Sequence, residues 1–152
     1  MINLNQKEIF ILKDLQAQEK LCIKKYAGYE KDARDPELRS LFNKIKEQEQ
    51  QHYNTLKDIL DGNTPSVSSK STNNSYTPQA SYTNNANMED KDHDAFLCTD
   101  AIAMEKYVSS AYNFDLFQFG NTEIRKVLND IQTEEQVHAE MIYKYKTANL
   151  MA

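Results

Sequence analysis

The sequence contains few residues that interrupt helices. Its 152 residues include only 3 Gly and 3 Pro, whereas an all-β domain needs turn residues at intervals of about 8–12 positions. It has no Trp and only two cysteines, Cys22 and Cys98. Because these lie far apart, neither a disulfide framework nor a CxxC metal motif is expected. The scarcity of breakers predicts an all-α protein.

Long apolar runs and an excess of positive charge are also missing. No stretch approaches the roughly 18–20 apolar residues of a membrane span, and the N-terminus lacks the pattern of a secretory signal peptide. The 18 Lys and Arg residues are outnumbered by 23 Asp and Glu residues, for a net charge of −5. A nucleic-acid-binding protein would instead show a basic surface. We therefore expect a cytoplasmic protein with neither a nucleic-acid partner nor a membrane span.

One segment differs in composition from the rest. Between Gly62 and Met88, 16 of 27 residues are Ser, Thr or Asn, and Lys70 carries the only charge. Such a segment buries too little apolar surface to offset its own ordering entropy. We interpret it as a long loop or a disordered linker, and we expect Tyr76 and Tyr82 within it to dock it onto the bundle.

Helical patterns flank this segment on both sides. Apolar residues recur at heptad-like spacing, and the capping signals divide the pattern into four parts. Asn5 with Glu8 resembles a capping box, Asp35 precedes Pro36 at a helix start, and Asn121 caps the last helix. The predicted helices cover about residues 5–33, 36–60, 91–119 and 122–147.

The two halves of the chain repeat one another. Residues 14–52 align without a gap to residues 100–138 at an offset of 86, and twelve positions are identical. Most of the identities are polar, which packing alone does not require. We expect one domain over residues 1–152: two helical hairpins, 5–61 and 90–148, joined by the crossover 62–89 into a four-helix bundle.

The repeat places acidic residues on the faces that should be buried. Glu19 shares the apolar stripe of its helix, and Glu49 and His52 share the next one. Positions i and i+3 lie on one helix face, so each Glu-x-x-His pair points in one direction. Four carboxylates aimed at one axis need compensation, which two divalent cations would supply. The candidate metal ligands are Glu19, Glu49, His52, Glu105, Glu135 and His138.

Carboxylate and imidazole ligands favour iron, manganese or zinc. The alternative interpretation is that these residues form buried polar networks without a metal. One turn before His138 stands Glu134, whereas Gln48 stands one turn before His52. We therefore expect the outer hydrogen-bond partners of the two histidines to differ.

This set of residues resembles the ferritin-like superfamily of rubrerythrins and bacterioferritins, across all four helices. The resemblance implies a dinuclear centre, with iron as the expected metal. It implies that Glu19 and Glu105 are terminal ligands, that Glu49 and Glu135 bridge the metals, and that His52 and His138 each bind one metal. It further implies that Tyr26 and Tyr112 support the site, each bonded to a bridging carboxylate.

A second resemblance concerns local sequence. Glu19-Lys20, Tyr26 and the run from Asp35 to Arg39, followed by an acidic stretch ending near a His, are similar to the spore coat F family of endospore-forming bacteria. In the second half Asn121-Thr122 stands in place of Asp-Pro. This resemblance implies a location in the mother-cell cytoplasm or the spore coat.

Three functions follow from these observations. The first is a structural coat component whose partners are coat-layer proteins or a second copy of the chain. The second is a rubrerythrin-like di-iron oxidoreductase that reduces peroxide or oxygen, or oxidises Fe(II). With only two Cys in the chain, its electron donor would be a separate protein. The third is metal storage in a cage.

Two further pairs of residues carry structural expectations. Arg39 and Arg125 occupy equivalent positions near the starts of the second and fourth helices. We expect each to pair with acids on a neighbouring helix. Cys22 and Cys98 align with apolar residues of the other repeat, and we expect both to be buried thiols.

Overall fold

The computed structural model describes residues 1–66, 75–83 and 87–151, and the regular secondary structure of these residues is helical. The helices are α1 (Gln6–Asp32), α2 (Pro36–Leu60), α3 (Met88–Asp115) and α4 (Thr122–Ala148). A short 3₁₀ turn, Leu116–Gln118, follows α3. Within the described ranges there is no strand, and no helix is long and apolar enough to cross a membrane. The predicted all-α class and helical bundle are confirmed.

The predicted capping residues begin three of the helices. Asn5 and Glu8 form a reciprocal capping box at the start of α1. Asp35 accepts a hydrogen bond from the backbone N–H of Glu37 at the start of α2, and Asn121 accepts two at the start of α4. Each cap satisfies backbone donors that would otherwise lack a partner in the first helical turn.

The third helix differs from its prediction at both ends. It begins at Met88 rather than near residue 91, and Glu89 and Asp90 lie in its first turn. Negative charge there interacts favourably with the helix dipole. It ends at Asp115 because the chain tightens into the 3₁₀ turn, and the buried Phe119 then adopts an extended backbone conformation.

The helices pack so that their buried faces share one core. α1 packs along α2 and α3 packs along α4, while fewer contacts join α1 to α3 and α2 to α4. Lys7 of α1 binds Gln118, whereas Tyr29 near the other end of α1 binds Asp100. This reversed order shows that α1 and α3 run antiparallel. The chain must therefore cross the length of the bundle between α2 and α3.

The two arginines correct one expectation. Arg39 donates to the carbonyl oxygens of Ala33 and Arg34, and Arg125 donates to those of Phe119 and Gly120. The prediction that they pair with acids on a neighbouring helix was wrong. They instead satisfy carbonyl groups at the two tight corners, where the preceding helix leaves acceptors without intrahelical donors.

The end of the crossover is fixed to the bundle by side-chain hydrogen bonds. The Asn149 side chain accepts from the backbone N–H groups of Ser81 and Tyr82. The Tyr82 hydroxyl donates to the buried carboxylate of Asp94. The predicted docking by Tyr82 is confirmed. The parts of the crossover at 67–74 and 84–86 lie outside the described residues.

Asp94 also holds the corner between α1 and α2. Its carboxylate is fully buried and accepts from the backbone N–H groups of Arg34 at 2.8 Å and Asp35 at 2.9 Å. Asp94→Ala leaves these donors unsatisfied, so we expect it to lower the free energy of unfolding by about 3 kcal/mol. Urea denaturation followed by circular dichroism measures this loss.

The control for this substitution is Asp92→Ala on the exposed side of the same helix. Surface changes of this kind usually alter stability by about 0.5 kcal/mol or less. Equal stabilities of the two variants would show that the buried contacts of Asp94 contribute nothing.

Candidate metal centre

All six predicted ligands meet at one level of the bundle. Glu19 comes from α1 and Glu105 from α3, while α2 and α4 each contribute a Glu-x-x-His pair. Each side chain lies on the same helix face as its apolar neighbours, and no ligand side chain is more than 3% exposed. The helical periodicity of the sequence is therefore sufficient to bring four carboxylates and two imidazoles onto the bundle axis.

The ligand atoms form two overlapping groups. One consists of Glu19, Glu49, His52 and Glu135, and the other of Glu49, Glu105, Glu135 and His138. Within each group the ligand atoms lie within 4.8 Å of one another. Glu49 and Glu135 belong to both groups. This is the arrangement expected of two neighbouring cation positions that share two carboxylates.

The histidines point their Nδ1 atoms toward the carboxylates. The distance from His52 Nδ1 to Glu135 Oε1 is 2.8 Å, and the distance from His138 Nδ1 to Glu49 Oε1 is also 2.8 Å. The Nδ1 atom of each histidine thus lies closer to the shared glutamate of the other repeat than to the shared glutamate of its own helix. The distances within the same helix are 3.7 Å from His52 Nδ1 to Glu49 Oε2 and 3.8 Å from His138 Nδ1 to Glu135 Oε2. The two imidazole rings stack with centroids 5.8 Å apart.

The site contains many buried polar atoms without hydrogen bonds. Among the described residues, eight ligand atoms make no hydrogen bond of acceptable geometry, although each histidine Nδ1 atom lies 2.8 Å from a shared carboxylate oxygen. They are one oxygen each of Glu19 and Glu105, both oxygens of Glu49 and Glu135, and the Nδ1 atoms of His52 and His138. Native proteins satisfy the great majority of their buried polar atoms. Orphaned oxygens and imidazole nitrogens that converge on the same points fit the coordination needs of divalent cations.

The buried carboxyl groups of Glu19 and Glu49 differ in their tendency to ionise. Burial, reinforced by the neighbouring carboxylate of Glu49, raises the pKa of Glu19 from 4.5 to about 8. Burial likewise opposes the ionisation of Glu49. Favourable interactions with the Glu19 carboxyl group and with the His138 and His52 imidazoles nevertheless outweigh this effect and hold the pKa of Glu49 well below its usual range. Without a cation, Glu19 and Glu49 therefore share one proton.

In the second repeat, burial and the neighbouring charges also shift the pKa values of Glu135 and His138. Burial and the charges of Glu105 and Glu49 raise the pKa of Glu135 well above its ordinary value. Burial opposes protonation of His138, but the charge of Glu105 and the nearby carboxylates outweigh it and raise the pKa of this imidazole. In the absence of a cation, Glu135 and His138 therefore bind protons more readily than the free side chains do.

The two tyrosines cross between the repeats, which corrects an expectation. Both are fully buried, and each donates its hydroxyl proton to a carboxylate of the opposite repeat: Tyr26 to Glu105, and Tyr112 to Glu19. The prediction that they bind a bridging carboxylate, Glu49 or Glu135, was wrong. They orient the two glutamates contributed singly by α1 and α3. Burial raises the pKa of both phenols, so they remain hydrogen-bond donors.

The outer partners of the histidines also cross between the repeats. His52 Nε2 contacts Glu134 and His138 Nε2 contacts Gln48. The expected difference between the two histidines is present, but each partner comes from the facing helix rather than from the histidine's own helix. A carboxylate behind an imidazole increases its basicity more than an amide does. The surroundings of the two histidines are consequently inequivalent.

A small cavity reaches one side of the site. It has a volume of about 100 Å³ and is lined by residues of α2, α4 and the start of the crossover, among them His52, Thr55, Asp130 and Glu134. At equivalent positions in the other repeat, Thr55 corresponds to Met141 and Asp130 to Lys44. The polar lining is therefore specific to the side of His52.

The two cysteines are buried thiols, as predicted. Burial, followed by the negative charges of Glu49 and Glu19, raises the pKa of Cys22 well above its ordinary value. A thiol that stays protonated is a poor nucleophile and a poor metal ligand. Cys22 therefore borders the site without joining its ligand set.

The pKa shifts predict how the metal-free protein responds to pH. A carboxyl group with a raised pKa in the folded state contributes stability that is complete below the unfolded value, 4.5 for Glu19, and is lost as the pH rises through about 8. The raised pKa values of Glu135, His52 and His138 act in the same direction. Between about pH 5.5 and about pH 8, we expect the free energy of unfolding to fall by on the order of 3 kcal/mol.

Urea denaturation in the presence of a chelator measures this dependence. Glu19→Gln removes the titrating group and should make the dependence on pH shallower. Glu47→Gln, at an exposed position of α2, serves as the matched control and should leave it unchanged. A metal-free protein that becomes more stable from pH 5.5 to pH 8 would contradict the prediction.

Comparison with protein families agrees with one of the two resemblances. Residues 93–149, which cover nearly all of α3 and the whole of α4, match the family described as the Coat F domain. No curated protein and no solved structure matches the chain. The matched region is the second repeat, which contains Glu105, Glu135 and His138. The match supports a protein of the spore-coat-F type.

Proposed function

We propose that the chain is a ferritin-like four-helix bundle, built of two repeated hairpins, that holds a dinuclear metal centre on its axis. The observation that carries this proposal is the convergence of four buried carboxylates and two buried imidazoles in two groups that share Glu49 and Glu135 and leave eight ligand atoms without a hydrogen bond of acceptable geometry. A structural polar network would pair most of these atoms. Two divalent cations would neutralise the four carboxylates that otherwise compete for protons.

The proposed roles follow from the two groups. Glu19 and His52 belong to one group alone, and Glu105 and His138 belong to the other alone. They would each bind one cation, while Glu49 and Glu135 would bridge both. Iron is the proposed metal, with manganese or zinc as alternatives suited to the same ligands. Tyr26 and Tyr112 would hold the two terminal carboxylates in place.

We propose that this bundle serves as a component of the spore coat of an endospore-forming bacterium. The Coat F match supports this location, and coat-layer proteins would be its partners. In this role the cations would chiefly stabilise the protein: they would bind between side chains whose charges are costly to bury. The bundle would then be a rigid packing module.

A second candidate function is a di-iron oxidoreductase that reduces peroxide or oxygen, or oxidises Fe(II). The cavity beside His52 supports it, because a space of about 100 Å³ next to a proposed ligand would accommodate a small oxidant. The chain would position the reactants and supply the ligands, and bound iron would supply the redox chemistry. Electrons would come from a separate donor protein.

Elemental analysis tests the metal centre directly. We expect purified protein to hold about two metal ions per chain, and Glu49→Ala/Glu135→Ala to hold none, because this pair removes both shared carboxylates. Glu47→Ala/Glu123→Ala removes two exposed acids and should retain the wild-type metal content. Circular dichroism checks that each variant remains helical. Wild-type protein without bound metal after growth and purification with added iron, manganese or zinc would contradict the proposal.

The second candidate requires turnover as well as metal. Iron-loaded protein should consume hydrogen peroxide faster than an equal concentration of the Glu49→Ala/Glu135→Ala variant treated in the same way. Metal content with no difference in peroxide or oxygen consumption would leave the coat-module role and eliminate the oxidoreductase. Recovery of the protein in the coat fraction of purified spores tests the proposed location.

A further inference from the structure

An exposed apolar stripe occurs twice, at equivalent positions of the two repeats. On α1 it consists of Phe10, Ala17, Leu21 and Gly28. On α3 the residues 86 positions later are Phe96, Ala103, Tyr107 and Phe114. The large members are 57–73% exposed. At 100° per residue each stripe spans an arc of about 40°, on the opposite side of its helix from the buried glutamate.

The two stripes lie on one side of the bundle. α1 and α3 are antiparallel neighbours, and the Lys7–Gln118, Tyr26–Glu105 and Tyr29–Asp100 contacts fix their register. That register places Leu21 at the level of Tyr107, and Phe10 near the level of Phe117, which is 75% exposed. We call this surface the α1/α3 face. Large exposed apolar side chains that are grouped on one side of a soluble protein often mark a binding surface.

The described part of the crossover leaves this face open. Pro65 and Ser66 border the cavity between α2 and α4, and Ser81 and Tyr82 bind Asn149 at the end of α4. The chain thus covers the α2/α4 side near these residues. The large stripe residues of the α1/α3 face remain more than half exposed.

The charges that flank the two stripes have opposite signs. Within about 60° of its stripe, α1 carries five lysines against two acids, whereas α3 carries three acids and no lysine. On α1 these are Lys7, Lys13, Lys24, Lys25 and Lys31 against Asp14 and Asp32, and on α3 they are Glu89, Asp92 and Asp100, of which Asp100 also pairs with Lys25 of the same chain. The surface of α1 is therefore electrostatically complementary to that of α3.

The side chains in the stripes are complementary in size as well. Two of the four α1 positions, Ala17 and Gly28, are small, and a Cβ added at Gly28 would meet no atom within 4 Å. At α3, Phe96, Tyr107 and Phe114 are large. At Ala17 and Gly28, α1 therefore leaves room for large residues that project from α3. A second copy of the chain presents both surfaces in the required order.

The available area suffices for a stable dimer. Helices of 27 and 28 residues are about 40 Å long, and two packed helices present a face about 20 Å wide. Each copy would bury about 800 Å², which is the usual contribution of one partner to a specific interface.

We propose that the α1/α3 face is a homodimer interface in which α1 of each copy packs on α3 of the other. A twofold axis parallel to the helices produces this arrangement and brings basic α1 against acidic α3 twice. A twofold axis perpendicular to the helices, in the plane of the face, would instead place α1 on α1 and bring like charges together. The interface is isologous, so it closes after two copies.

Sedimentation equilibrium of the full chain tests the dimer. We expect both monomer and dimer to be populated at protein concentrations from about 1 to about 100 μM. This range includes the dissociation constants of the weaker interfaces of this size. Tyr107→Asp should raise the dimer dissociation constant about tenfold or more, because it buries a charge against apolar side chains. Tyr143→Asp makes the same change at an exposed position of α4 and should leave the constant unchanged. Higher salt should weaken the dimer.

Cysteine crosslinking tests the arrangement. In a mixture of the single variants Phe10→Cys and Phe117→Cys, oxidation should produce a disulfide dimer that contains one chain of each kind. Neither variant alone should form it. Crosslinking of either variant with itself, and none in the mixture, would overturn the arrangement. A wild-type monomer throughout the concentration range, or equal weakening by Tyr107→Asp and Tyr143→Asp, would overturn the interface. Both measurements work with or without bound metal.

Discussion

The burial of four carboxylates and two imidazoles at one level of the bundle is the constraint on which the rest of this structure depends. No single helix can satisfy these groups, because each contributes only one or two ligands. The apolar layers above and below hold the helices close enough to force the ligands together. Protons shared between Glu19 and Glu49 relieve part of the repulsion, and cations in the same positions would relieve it more fully.

The contacts around the ligands tie the two repeats to one another. Tyr26 and Tyr112 reach across to Glu105 and Glu19, and the Nε2 atoms of His52 and His138 reach across to Glu134 and Gln48. Each ligand is therefore oriented by a residue of the other repeat. Displacement of one half would disturb the ligands of both, so the site demands a fixed packing of the whole bundle. The two histidines differ in their outer partners, because Glu134 lies behind His52 whereas Gln48 lies behind His138.

The sequence predicted what depends on periodicity within one helix. The four helices, their caps and the burial of all six ligands follow from positions that recur every three or four residues, and the repeat shows that the two halves place them alike. What depends on neighbouring helices was not predictable in this way. Glu134 lies one turn from His138 in the sequence, yet it contacts His52, because helix packing rather than sequence separation decides which side chains face each other.

The remaining errors have a similar cause. Arg39 and Arg125 follow tight corners whose carbonyl groups lack donors, and these local acceptors take precedence over acids on another helix. The start of α3 lies within a compositional boundary rather than at a clear cap: Asn87 adopts a left-handed conformation and provides no side-chain cap. α3 begins before the predicted position because the acidic residues Glu89 and Asp90 are favourable in the first turn of a helix.

The places where the repeats differ are as informative as those where they agree. Identity at the ligands maintains a nearly symmetric site, while the flanking surface of α1 has become basic and that of α3 acidic. A perfectly symmetric pair of hairpins would present equivalent charges on both helices, and a second copy would then have no electrostatic preference between packing α1 on α3 and packing α1 on α1. Divergence outside the core removes that ambiguity without disturbing the ligands. One fold can thus keep a common interior and still acquire a directed surface.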